Sequence, residues 1–223
     1  MPLTFVSSAH SLNNYEGKAS KAVTAGNHLW ACTVVDLSVD VEATGFTDNH
    51  GNAWVRDAHA NSANRHLAIF RALATTTGTC NLQLAVSGSL DSNLIEFLEF
   101  NGSLDASPFD AASAIATGSG TALVSNTVTP TQADTFLIGL GCVDFTGTSL
   151  TPDAPWVDRT AYPGDRVHVA SREVASIAAY SLTGTLSASN AWGALVAAYK
   201  FPGGGGGGGV PPFRGSVTMA RLR

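Results

Sequence analysis

The chain has 223 residues and a mass of 22.9 kDa, which suits one large domain or two small ones, and its 44% hydrophobic content excludes a largely disordered protein. Its 12 basic and 17 acidic residues give a net charge of -5, so the surface that nucleic-acid binding needs to neutralise phosphates is not available overall. Because no run of eighteen apolar residues occurs, we expect no membrane span.

Short apolar runs rich in Val, Leu, Ile, Phe and Thr recur along the chain, separated by clusters of Gly, Asn, Asp and Ser. This pattern is typical of strands and turns, and it predicts an all-β fold of two packed sheets, a jelly-roll-like β-sandwich. The predicted strands cover residues 3–8, 29–36, 39–45, 53–56, 67–72, 80–87, 94–101, 123–129, 135–142, 167–174, 177–182 and 192–201. The last segment contains alanines that suit a helix, but its glycine and its aromatic and β-branched residues favour a strand.

The predicted strand at 94–101 is apolar on both faces, which indicates a central position. We expect one face to pack on the opposite sheet and the other to be covered by a loop or a neighbouring subunit. Glu96 and Glu99 are three residues apart and therefore point to opposite faces. This geometry argues against the paired carboxylates of a glycosidase. Glu96 lies among apolar side chains and needs a hydrogen-bond partner or contact with solvent.

The sequence lacks the common catalytic motifs: G-x-S-x-G, H-E-x-x-H, the phosphate-binding loop with its Lys, and G-x-G-x-x-G between a strand and a helix. We therefore predict a protein that is not an enzyme and needs no cofactor. Cys32, Cys80 and Cys142 form no C-x-x-C pair and are expected to be free and buried. The six histidines show no metal-ligand spacing, and most are expected in loops or at the surface.

Segment 45–54 is rich in oxygen-bearing side chains, and Asp48, Asn49 and Asn52 are candidate calcium ligands. A tight turn explains the same residues, since Asn and Asp tolerate left-handed backbone angles and Gly51 supplies a positive φ. The spacing is not that of an EF-hand, which favours the turn.

The composition changes after Phe201, where Pro202 and seven glycines form a linker at 202–209. As a flexible coil the heptaglycine would span about 15 Å. The C-terminal segment 210–223 has three arginines and no acidic residue, so its charge is +3. The remaining chain has nine basic and seventeen acidic residues, or -8.

A disordered terminus would account for this C-terminal segment. Its spaced apolar residues favour a docking peptide that becomes ordered on an acidic, apolar groove or on an open strand edge. The candidate docking residues are Pro211, Pro212, Phe213, Arg214, Met219, Arg221, Leu222 and Arg223. The predicted organisation is a β-sandwich domain at 1–201, a linker at 202–209 and a docking peptide at 210–223.

Three segments together resemble a family of jelly-roll-like β-sandwich domains found in bacteriophage genomes and prophage regions, and attached to some bacterial extracellular proteins. Segment 45–54 resembles the family's D-x-x-G-N-x-W hairpin. Segment 95–102 resembles its E-Y-x-G strand end, with Phe100 in place of Tyr, and is followed by an S-P-x-D loop at 107–110. Segment 191–199 resembles its closing strand.

This resemblance implies a non-catalytic structural protein of a bacteriophage virion, either a capsid decoration protein or a tail component. Its expected partners are other virion proteins, bound through the C-terminal peptide, and further copies of itself, with a trimer as one expected state. The N-terminus shows no secretory signal, so we expect synthesis in the host cytoplasm followed by incorporation into the virion.

The alternative function is a carbohydrate-binding module or adhesin domain, because β-sandwiches often bind sugars through exposed aromatic rings. Trp156, which follows Pro155 in a predicted loop, and Tyr162 are the candidate glycan contacts. Trp192 lies in the predicted closing strand and is expected in the core.

Overall fold

The structure is a computed structural model that describes residues 2–11, 17–36, 43–62, 65–87, 93–144 and 146–203. It is all-β, and the predicted all-β sandwich is confirmed. Among the described residues, none forms a helix that is long and apolar enough to cross a membrane. The strands are β1 (Thr4–Ser11), β2 (Lys18–Val23), β3 (His28–Asp36), β4 (Ala43–Asp48), β5 (Val55–Ser62), β6 (Arg65–Leu73), β7 (Gly78–Val86), β8 (Asn93–Asn101), β9 (Phe109–Ala112), β10 (Ala116–Val124), β11 (Thr135–Val143), β12 (Leu150–Pro152), β13 (Val157–Asp158), β14 (Val167–Val174) and β15 (Thr183–Lys200).

These strands form three antiparallel sheets. The middle sheet has the order β1-β8-β3-β6-β5, and the small sheet has the order β2-β7-β4. The large sheet has the order β10-β15-β11-β14-β13, with β9 and β12 also paired to β15. The middle and small sheets therefore use only residues up to Asn101, whereas the large sheet begins at Phe109.

The middle sheet is covered on both faces. One hydrophobic cluster joins Trp30 and Leu98 of the middle sheet to Leu195 and Tyr199 of the large sheet. A second cluster joins the opposite face of the middle sheet to the small sheet, through residues such as Phe97. The central position predicted for β8 is confirmed, but the prediction that a loop or a neighbouring subunit covers its second face is wrong. A sheet of the same chain covers it, so the sandwich has three layers instead of the two packed sheets predicted.

The outer face of the large sheet is also packed. Val196 and Ala198 of β15 lie in a third cluster with Leu150 of β12 and with Trp156 and Leu182, which come from segments that connect the strands. The apolar run at the end of the chain is thus buried on both faces, which explains why it lacks the alternation of a half-exposed strand.

Several predicted strands agree closely with the structure, including 167–174 for β14 and 135–142 for β11. The strand predicted at 177–182 is wrong, since this part of the chain forms only an isolated bridge between Tyr180 and Val128. The strand predicted at 123–129 is largely wrong, because β10 begins at Ala116 and ends at Val124. Strands β2, β9, β12 and β13 were not predicted.

Gly184 permits the close approach of β12 to β15. A Cβ atom added there would lie 2.7 Å from the carbonyl oxygen of Thr151 and 3.0 Å from the Cα of Pro152. Both atoms belong to the backbone and cannot move aside as a side chain could. We expect Gly184→Ala to lower the free energy of unfolding by about 1–3 kcal/mol, measured by denaturant titration. Gly45→Ala is the matched control, since a Cβ there meets nothing within 4 Å; equal losses in the two variants would contradict this explanation.

Candidate functional site

A buried histidine lies between two carboxylates at the contact between the middle and large sheets. His10, on the edge strand β1, is within 2.6 Å of Glu96 Oε1 through Nδ1 and within 3.0 Å of Asp165 Oδ2 through Nε2. The side chains of His10, Glu96 and Asp165 are 4%, 0% and 8% exposed. The Ala161 backbone N–H donates to the second Glu96 oxygen, and the Arg166 backbone N–H donates to Asp165. We call His10, Glu96 and Asp165 the His10 cluster.

The electrostatics of the His10 cluster favour a protonated imidazole. Burial alone lowers the pKa of His10, but the bonds to Asp165 and Glu96 outweigh burial and raise this pKa from 6.5 to about 9. Burial raises the pKa of Glu96, and the contact with His10 only partly offsets that effect. For Asp165, hydrogen bonds from His10 and Arg166 outweigh burial and lower the pKa.

Chemically, this arrangement is a link between layers. A protonated His10 donates through both ring nitrogens and keeps no lone pair with which to accept a proton. Each carboxylate also accepts a backbone N–H. Of the two predicted possibilities for Glu96, a hydrogen-bond partner or contact with solvent, the structure shows the first. Within the described residues, no group of three or more His, Cys, Asp or Glu side chains could hold a metal ion.

The stability of the protein should fall on the alkaline side of neutrality. Because the folded-state pKa of His10 is above its ordinary value of 6.5, its stabilising contribution is complete below pH 6.5 and disappears as the pH rises through about 9. Burial lowers the pKa of His28 and His168 to about 4, so their contribution is lost as the pH falls from 6.5 to 4. We expect thermal unfolding temperatures to be highest near pH 6.5.

The matched variants are His10→Gln and His59→Gln. In His10→Gln the unfolding temperature should fall much less between pH 6.5 and 9 than it does in the parent protein. His59 is exposed, so its replacement should leave the profile of the parent protein unchanged. An identical alkaline decline in the parent and in His10→Gln would contradict the role of His10.

Glu99 occupies a second polar cluster on the opposite face of β8, between the middle and small sheets. Its Oε2 lies 2.7 Å from Lys21 Nζ, and its Oε1 accepts the Thr24 backbone N–H and an Asn27 amide N–H. These three donors outweigh burial and lower the pKa of Glu99. The prediction that Glu96 and Glu99 face opposite ways is confirmed, and each carboxylate joins a different pair of layers.

The candidate calcium residues form the turn between β4 and β5. Asp48 accepts hydrogen bonds from the His50 and Asn52 backbone N–H groups, from the Asn52 amide and from Trp54 Nε1. Asn49 bonds across to β7 through the backbone of residues 79 and 81. Because both Asp48 oxygens already face N–H donors, this arrangement favours the turn. It also explains the D-x-x-G-N-x-W pattern, with Gly51 at a φ of 68°.

The two candidate glycan contacts differ in exposure. Trp156 is only 6% exposed, packs in the third hydrophobic cluster and donates from Nε1 to the Ser181 carbonyl oxygen. The expectation that Trp156 is exposed is therefore wrong, because the loop that carries it folds over the outer face of the large sheet. Tyr162 is 52% exposed, with its ring centroid 5.8 Å from that of His10. Trp192 is half-buried and packs against the third cluster, over Gly118.

The prediction that most of the histidines lie in loops or at the surface is wrong. Five of the six lie in strands, and only His59 is exposed. His66 and His168 are almost fully buried. The prediction for Cys32, Cys80 and Cys142 is confirmed, since all three are free and buried. The eight candidate docking residues of segment 210–223, and residues 204–209 of the linker, lie outside the described residues.

The partners in these two clusters lie far apart in the sequence and could not be predicted from it. His10 is 86 residues from Glu96 and 155 residues from Asp165, and Lys21 is 78 residues from Glu99. The one available signal was the pair of acidic residues inside an apolar strand, which indicated that partners exist without identifying them.

Comparison with known proteins found no matching family model, no matching curated protein and no matching solved structure. The resemblance to the bacteriophage β-sandwich family therefore stays a prediction.

Proposed function

We propose that this chain is a non-catalytic structural protein of a bacteriophage virion, either a capsid decoration protein or a tail component. In this proposal, residues 1–201 form a rigid domain, which we call the body. Segment 210–223, which we call the arm, attaches the body to other virion proteins. Association with further copies of itself, with a trimer as one candidate state, belongs to the same proposal.

The observation that supports a structural role is the use of buried charged groups to join the layers. The His10 cluster connects the middle sheet to the large sheet, and Lys21 with Glu99 connects the small sheet to the middle sheet. Arg65 of β6 donates from Nε to Asp144 Oδ1 at 2.9 Å and from Nη2 to the Asp144 carbonyl oxygen, which adds a second link to the large sheet. These ionisable groups lie between sheets and hold them together, which suits a rigid scaffold.

The end of β15 supports the division between body and arm. Phe201 is only 8% exposed, whereas Pro202 and Gly203 are exposed. The packed structure thus reaches the residue at which the composition changes to glycine. The opposite charges of the body, -8, and of the segment 210–223, +3, also distinguish the two parts.

The proposal is tested with purified virions of the bacteriophage whose genome encodes the chain. Quantitative mass spectrometry should find the protein in a fixed ratio to a major virion protein. Replacing Arg214, Arg221 and Arg223 together by Glu in the full chain should remove the protein from the particles, whereas replacing all three by Lys should retain it. Purified particles without the protein would overturn the virion assignment, and equal incorporation of both variants would overturn the role of the arm.

Carbohydrate binding is the second candidate, and the exposure of Tyr162 is the one observation that favours it. Aromatic rings at the surface can stack on a sugar ring. A glycan array with the parent protein and Tyr162→Ala separates the two functions. Binding that is lost in Tyr162→Ala, with unfolding unchanged, would support an adhesin, whereas no binding by the parent protein would contradict one.

A further inference from the structure

An open groove lies at the end of the sandwich where both ends of the described chain meet. It encloses about 410 Å³, and its lining includes Pro2, Asp134, Glu173, Phe201, Pro202 and Gly203. The pairing of β11 with β14 brings Asp134 and Glu173 to this end, since Phe136 lies opposite Glu173 and Thr135 opposite Val174. The Leu3 backbone N–H donates to Glu173 Oε1 at 2.9 Å and fixes the first strand against the groove.

The groove is acidic and partly apolar. Asp134 and Glu173 are both exposed, and no basic side chain is among the lining residues. Pro2 and Pro202 supply exposed apolar surface beside the two carboxylates. A ligand that suits this surface is a short peptide that presents proline or aromatic side chains next to a cation.

The chain itself contains such a peptide a short distance away. Gly203 forms part of the groove, six glycines follow it, and residues 210–214 then read Val-Pro-Pro-Phe-Arg. A glycine tether that behaves as a flexible coil would span about 15 Å on average, which is short enough for the peptide to turn back to the groove where the tether begins. A short flexible tether of this kind gives an effective concentration on the order of 1 mM.

We propose that this groove binds segment 210–214 of the same chain, with Phe213 and the prolines against the apolar surface and Arg214 beside Asp134 and Glu173. The inference rests on the proposed function only in treating segment 210–223 as an arm with two positions. In the free protein the arm lies in its own groove, and in the virion a partner with higher affinity displaces it. The acidic groove thereby keeps the basic arm from premature binding elsewhere.

Trypsin cleavage after Arg214 measures whether the groove is occupied. With a dissociation constant of about 0.1 mM for the docked segment, about nine-tenths of the chains would be docked, and cleavage would be about tenfold slower than in a free peptide of residues 210–223. In the double variant Asp134→Asn, Glu173→Gln, the rate should come within about twofold of the free peptide, since both charges are lost. These two replacements keep an oxygen acceptor for Leu3 and a residue that tolerates the positive φ of Asp134.

Two controls accompany the experiment. The double variant Asp153→Asn, Asp158→Asn removes two exposed charges outside the groove and should keep the tenfold protection. Phe213→Ser changes only the arm, so it cannot unfold the body, and it should abolish protection.

The outcomes are separable. Protection that is independent of protein concentration and lost in the groove variant supports the proposal. Protection that increases with protein concentration would show that the arm binds a second copy and would overturn docking within one chain. Cleavage as fast as in the free peptide would overturn docking altogether. The groove variant should still enter virions, so loss of this inference leaves the proposed function standing.

Discussion

Replacing His10 by Ala should lower the free energy of unfolding by about 3–5 kcal/mol, because it leaves the buried carboxylates of Glu96 and Asp165 without their cation. Removing one member of a buried charged cluster costs more than the cluster contributes net, since the remaining charges stay desolvated. Denaturant titration of the parent and the variant measures the loss, and thermal unfolding should show a fall of about 2–4 °C per kcal/mol.

Two further variants give the His10 prediction its controls. His59→Ala alters an exposed histidine and should change the free energy of unfolding by no more than about 0.5 kcal/mol. The triple variant His10→Ala, Glu96→Gln, Asp165→Asn removes every charge of the cluster and should be more stable than His10→Ala alone. A loss below about 1 kcal/mol for His10→Ala would contradict a buried ionic link.

Glu99→Ala should have a comparably large effect through the other interface of the middle sheet. It removes the acceptor for Lys21, Thr24 and Asn27, and Lys21 is 6% exposed in its side chain. The stranded ammonium group and the two unpaired N–H donors should lower the free energy of unfolding by about 3–5 kcal/mol. Chemical denaturation measures this loss directly.

Restoring part of the contact separates its components. Glu99→Gln keeps an oxygen acceptor but no charge, so its loss should be smaller than that of Glu99→Ala. The double variant Lys21→Met, Glu99→Leu removes both charges and should also be more stable than Glu99→Ala. Asp153→Ala, at an exposed carboxylate, should stay within about 0.5 kcal/mol of the parent. If Asp153→Ala and Glu99→Ala cost the same, the buried contact has no special role.

The sequence predicts best those strands that are buried on both faces. Strand β11 is an almost continuous apolar run, β8 is mostly apolar apart from its two glutamates, and β14 is buried over most of its length. Their predicted bounds agree with the structure to within one residue. The opposite orientation of Glu96 and Glu99 followed from the two-residue repeat of a strand alone. In these segments the apolar content and the two-residue repeat both indicate a strand, so the local sequence is sufficient to predict it.

The strands that were misplaced or not predicted have sequences with low strand propensity, and their formation depends on contacts with neighbouring strands. Strand β10 contains two glycines and mostly small side chains, and it is placed by its pairing with β15 and by the Trp192 ring over Gly118. Strand β2 carries two lysines, one of which finds a buried carboxylate in the next layer. Such pairing depends on tertiary contacts that a propensity argument does not contain.

The candidate site shows the same difference between features set by local sequence and features set by tertiary contacts. The turn at Asp48 was readable because its hydrogen bonds span at most six residues. The His10 cluster was not, because its members meet only after the large sheet packs on the middle sheet. Trp156 was misplaced for a related reason, since nothing in its local sequence shows that Ser181 and the third cluster cover it.

The division of the sheets along the chain also bears on synthesis. The middle and small sheets are complete once residue 101 has been made, but the apolar face that the large sheet covers is not fully covered until β15 ends at Lys200. At about 5–20 residues per second on the ribosome, the remaining hundred residues take roughly 5–20 s. During that interval the nascent chain exposes this apolar surface, so we expect chaperones to bind mainly to the incomplete chain.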